Sequence, residues 1–179
     1  MEDSTAELKP ESQPGAAIHD TGRAKLGTKR QWINAPARLE GDVRALISAS
    51  VTQSLDTLGD EQYLYIGERI RPKLEALHGS ATHWVRELWT VGAAFHAALR
   101  DHAEGNRHLP VPVRRLLAVG LHYLVNPFDV IPDHIYGDGY VDDALVLNYC
   151  AIEISRLDPK LLKTYVRKVA RAADHTACP

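Results

Sequence analysis

The chain has 179 residues, 45% hydrophobic and 25% charged, with a formal net charge of −2 and a pI near 6.5. That is the composition of one soluble domain with a core large enough to need no staples. It lacks the strongly basic balance of a nucleic-acid binder, so no nucleic-acid partner is expected. The two cysteines, Cys150 and Cys178, form no disulfide framework, and a reducing, cytoplasmic setting is expected.

Residues 1–35 read as a disordered tail. Pro10, Pro14, Gly15, Gly22 and Gly27 interrupt a polar stretch that is acidic at first and basic later. It lacks the layout of a secretory signal. A single helical domain is expected over 36–175. From about Pro36, Leu39, Val43, Leu46, Ile47, Val51, Leu55 and Leu58 recur at helical spacing up to Gly59. A second helix opens at Asp60 as N-cap and carries Tyr63, Ile66, Ile70, Leu74 and Leu77, with a kink or break near Arg71 caused by Pro72.

A third helix spans about Ser80 to Ala103 on the stripe Trp84, Leu88, Val91, Phe95 and Leu99, closed by Gly105. Pro112 suits the first turn of a fourth helix that ends at Val125. Its apolar run, Leu116–Val125, is ten residues long. A membrane span needs about 20, so no transmembrane helix is expected. Val141–Leu157 reads as a fifth helix. Asp158-Pro159 supplies an N-cap and first-turn proline for a sixth, ending near Ala172. No window alternates as a strand does. The expected fold is all-α: a compact bundle of about six helices, with a Pro/Asp/Gly-rich loop between helices four and five.

That loop, within Tyr123–Leu147, is the most informative stretch. Five aspartates lie among apolar residues, two prolines and two glycines. Burying an unpaired carboxylate is costly, so the aspartates are held in defined geometry or left in water. Asn126 reads as an N-cap, Pro127 as the first helical position and Asp129 as its capping-box partner, while Pro132 stops that turn. Asp133 follows to cap or brace the loop. Asp142 and Asp143 open the fifth helix at the positive end of its dipole.

These residues carry a resemblance. Pro127, Asp129, Ile131, Pro132 and Asp133, followed at fixed spacing by Gly139, Asp142 and Asp143, resemble the small bacterial YkvA family, also called the DUF1232 domain, over roughly residues 110–151. The resemblance implies a helical hairpin module with no established catalytic role, membrane-associated in some members.

Two readings of the aspartates stand side by side. As caps, each satisfies backbone N–H groups separately. As a cluster, Asp129, Asp133, Asp142 and Asp143 form a set of hard oxygen ligands for Mg²⁺ or Ca²⁺. Against the cluster, neighbouring helical positions point about 100° apart, which turns Asp142 and Asp143 away from a common ion. No hydrolase, P-loop or dinucleotide fingerprint is present. His122, inside the apolar fourth helix, reads as a core histidine.

From the end of the fifth helix through the sixth, Arg156, Lys160, Lys163, Arg167, Lys168 and Arg171 lie beside Leu161, Leu162, Tyr165, Val166 and Val169. That pattern suits docking on a core, with contact between residues 156–171 and an anionic membrane surface as the other reading. The function expected is a non-enzymatic interaction or regulatory module with an unknown protein partner. The alternatives are a metal-dependent, phosphohydrolase-like enzyme using the aspartate loop and a peripheral membrane protein.

Overall fold

The structure, a computed structural model, describes residues 31–35, 41–126 and 139–176. Six helices account for nearly all of them: α1 (Gly41–Thr57), α2 (Asp60–His78), α3 (His83–Ala103), α4 (Val111–Val125), α5 (Val141–Leu157) and α6 (Leu161–Thr176). There is no strand among the described residues. The fold is an all-α bundle.

Helix α4 is its axis. All six residues from Leu116 to Leu121 are buried. Successive helical positions turn by about 100°, so a run of that length is covered on every side. α5, α2, α3 and α1 provide the cover. α3 contributes Leu88, Ala94, Phe95 and Ala98, all without solvent exposure. Each fully buried Leu or Phe side chain contributes about 1.5–3 kcal/mol from apolar burial. Gly120 lets α4 approach α3, since a Cβ there would lie 2.8 Å from Phe95 Cε2. The described part of α1 is attached more lightly, through the buried Val51 and the partly buried Leu55.

The local signals explain most helix ends. Gly105, at φ 76°, stands just past the end of α3, its N–H donating to the His102 carbonyl at 3.1 Å. Only glycine adopts that conformation without strain. Pro112 lies in the first turn of α4. Asp158 caps α6: its Oδ1 accepts the N–H groups of Lys160 and Leu161, each at 3.0 Å. α6 then docks on α3 and α5 through Leu161, Leu162 and Tyr165, and continues past Ala172 to Thr176.

Some expectations need correction. The N-cap of α2 is Gly59, one residue before Asp60, because Gln62 Oε1 accepts the Gly59 N–H at 2.8 Å and leaves Asp60 in the first turn. α2 runs unbroken through Pro72. Pro72 and Glu68, whose carbonyl loses its helical partner, are both on the exposed side, so the missing bond leaves no buried polar group. α3 starts at His83, three residues after Ser80. Residues 31–35, assigned above to the tail, lie on the bundle, with Ile33 1% exposed. The rest of that tail, residues 1–30, lies outside the described residues.

Candidate functional site

Helices α4 and α5 flank the aspartate motif in the sequence. Asn126 ends α4: it is the C-cap, in extended conformation, and its N–H donates to the Tyr123 carbonyl at 3.1 Å. Its expected role as an N-cap concerns the turn that follows. That turn, with Pro127, Asp129, Ile131, Pro132 and Asp133, lies outside the described residues.

Beyond it Gly139 is buried and Tyr140 leads into α5. Lys73 Nζ stands 4.9 Å from the centre of the Tyr140 ring, tying α2 to this turn. Asp142 and Asp143 occupy the second and third positions of α5, and neither has any solvent exposure. Asp142 is enclosed by α4: the Tyr123 hydroxyl donates to its Oδ2 at 3.2 Å, and the Asp143 N–H donates to its Oδ1 at 3.1 Å. The second bond takes one of the four N–H groups that a helix start leaves unpaired, and a negative charge suits the dipole there. Among the described residues, no group of three or more His, Cys, Asp or Glu side chains is arranged to hold a metal ion.

Beside the motif, Glu61, Gln62, Tyr65, His122 and Asn126 line a cleft of about 220 Å³. The rings of Tyr65 and His122 are 5.7 Å apart. Burial holds the His122 imidazole below its ordinary pKa, favouring the neutral ring. The histidine expected in the core is thus only half-buried, at a cleft wall. Cys150, on α5, is free and fully buried, and its thiol is pushed up to about 12 chiefly by that burial.

A larger groove opens at the other end of α4. It measures about 420 Å³ and runs between the end of α1 (Leu55, Asp56), the start of α4 (Val111, Pro112, Arg115, Leu116) and the second half of α5 (Tyr149, Glu153, Arg156, Leu157). Val111, Tyr149 and Leu157 are three of the few large hydrophobic side chains left exposed among the described residues, at 53%, 38% and 56%. Arg156 is paired with Glu153 at one edge. Sequence reading missed this groove because its walls come from three separate segments.

Residues 113–149 match the family model described as "Protein of unknown function (DUF1232)". The chain carries a DUF1232 domain. That match lies inside the 110–151 span read from the motif and leaves the rest of the chain unassigned. The DUF1232 segment supplies nearly all of α4, the aspartate motif and the first half of α5, so it is the centre of the bundle. No curated protein and no solved structure matches the chain. Among the described residues no helix is long and apolar enough to cross a membrane. In α6 the apolar face packs on the bundle, while Lys163, Arg167, Lys168 and Arg171 face solvent.

Proposed function

We propose that the chain is a non-enzymatic interaction module whose binding face is the α1/α4/α5 groove, and that the groove takes apolar side chains of a protein partner. The observation that carries this reading is the grouping of Val111, Tyr149 and Leu157, exposed around one concave surface that Asp56, Arg115, Glu153 and Arg156 also line. Exposed apolar side chains gathered at a depression, with a polar rim, are the usual anatomy of a protein-binding site. The described motif residues support the same reading from the other side. Asp142 has both oxygens hydrogen-bonded inside the bundle and Gly139 is buried, which suits residues that hold α4 to α5. The free Cys150 thiol suits a reducing, cytoplasmic setting.

The test is affinity capture with the full chain and with Val111→Asp/Leu157→Asp. Both positions are more than half exposed, so the substitutions leave the melting temperature almost unchanged. A partner held by the natural chain and lost from the variant supports the reading. Equal capture by both chains removes it.

The metal-dependent, phosphohydrolase-like reading has one observation in its favour, the two adjacent carboxylates buried at the start of α5. A metal bound to the folded state must raise the melting temperature. Melts in EDTA and in millimolar Mg²⁺, Mn²⁺ and Ca²⁺ separate the two readings.

A further inference from the structure

Residues 31–35 contact the bundle without belonging to any helix. The chain bends at Trp32 and Ile33, and residues 36–40 separate the segment from α1. Two side chains hold its backbone. Asn148, on α5 and only 6% exposed, accepts the N–H of Trp32 at 2.9 Å and that of Ile33 at 3.0 Å on its Oδ1. Its Nδ2 donates to the Ile33 carbonyl at 2.9 Å. Glu87, on α3, accepts the Asn34 N–H on Oε2 at 2.7 Å, and both of its oxygens accept from Asn34 Nδ2, at 3.1 and 3.2 Å. The Ile33 side chain is buried.

An asparagine in the middle of a core-facing helix leaves polar atoms that need partners. Here the three hydrogen bonds of Asn148 all run to one short segment more than a hundred residues away in sequence. A side chain that satisfies successive backbone groups recognises a peptide by its main chain. A pocket for one apolar residue and a carboxylate for the next residue's amide add selectivity. This is the division of labour found in peptide-recognition sites.

We propose that the cleft between Asn148 and Glu87 is a peptide-binding site, occupied in cis by Trp32–Asn34, that accepts a bent peptide with an apolar residue followed by asparagine from another protein. The site is separate from the α1/α4/α5 groove, and the two proposals stand or fall independently. Residues 31–35 then act as a tethered competitor, lowering the apparent affinity for an incoming peptide by the fraction of time they occupy the cleft.

The probe is a fluorescent synthetic peptide with the sequence of residues 29–36, titrated into the full chain carrying Ile33→Asp, which places a charge in the buried position and releases the cis segment. Saturable binding is expected, at least tenfold tighter than to the natural chain. It is expected to be lost when Asn148→Ala is added, or when the peptide's own isoleucine is replaced by aspartate. A folded Ile33→Asp chain that binds no peptide, or binding indifferent to Asn148→Ala, overturns the proposal. Hydrogen exchange on the natural chain gives a second test that needs no variant. The Trp32 and Ile33 amides should exchange at least tenfold faster than the buried amides of α5, through opening of the segment alone. Exchange at the rate of the slowest core amides means that the segment leaves only when the bundle unfolds, and that also overturns the proposal.

Discussion

Gly120→Ala tests the packing of the bundle's central helix most simply. A helix-interior Gly→Ala change ordinarily stabilises by about 0.8–1 kcal/mol through propensity. At Gly120 the new Cβ would stand 2.8 Å from Phe95 Cε2 and 3.1 Å from Cδ2, with Cys150 Cβ at 3.8 Å behind it. Carbon atoms prefer separations of about 3.5–4.0 Å, and Phe95 has no solvent-exposed side to move toward. Overpacking of that kind costs about 1–3 kcal/mol, so the expected balance is a net loss of about 1 kcal/mol. Two other glycines calibrate it. Gly67 has nothing within 4 Å of its Cβ position, so Gly67→Ala should gain about 0.5–1 kcal/mol. Gly92 faces Leu124 Cδ2 at 3.1 Å and Leu74 Cδ2 at 3.2 Å, the ends of flexible side chains, so Gly92→Ala should fall between the two. Urea melts with linear extrapolation give all three. If Gly120→Ala stabilises as much as Gly67→Ala, α4 does not approach α3 as described.

Three further outcomes concern Asp142, Cys150 and His122. Asp142→Ala should cost about 1–3 kcal/mol, because it removes the acceptor of the Tyr123 hydroxyl and the Asp143 N–H inside the core. Asp142→Asn keeps an acceptor and should cost less; equal losses in urea melts would contradict that. Because the site is buried, neutralising Asp142 also relieves desolvation, so the sign of Asp142→Asn alone does not separate a cap from a metal ligand; an unchanged melt on adding metal does. The Cys150 thiol, raised from 9.0 to about 12, keeps its proton in the folded chain while the unfolded chain loses it, so stability should fall as pH rises through that window. In a Cys178→Ser background a thiol reagent at pH 8 should react only on unfolding, and rapid labelling of the native protein would refute the burial. His122 has its pKa lowered by desolvation, so below pH 6.5 the unfolded chain takes up the proton first and stability should decline. His122→Gln should flatten that part of the pH–stability curve, and an unaltered curve would contradict the assignment.

The helices were legible where local chemistry decides them. Val141–Leu157 has the same ends in sequence and structure, and Asp158 caps α6 as its position before Pro159 suggests. The fixed spacing of Gly139, Asp142 and Asp143 pointed to the family at the centre of the bundle. Their place at the start of α5 followed from capping chemistry. The complete burial of Asp142 did not, because its carboxylate is held by Tyr123, nineteen residues earlier on another helix. Residues 31–35 failed for a similar reason. Their composition belongs to a polar tail, and only Asn148 and Glu87, distant in sequence, give them partners. The groove was invisible because Leu55, Val111, Tyr149 and Leu157 come together only after α1, α4 and α5 pack.

Photocrosslinking from the groove tests the interaction reading most directly. A photoreactive residue is placed at Leu157 in the full chain and, as a control, at Leu64, an equally apolar position on α2 that is 70% exposed and outside the groove. Irradiation in intact cells should give a discrete protein adduct from position 157, lost when Val111→Asp is added, and none from position 64. The same adducts from both positions, or an adduct from position 157 that persists with Val111→Asp, would contradict the account.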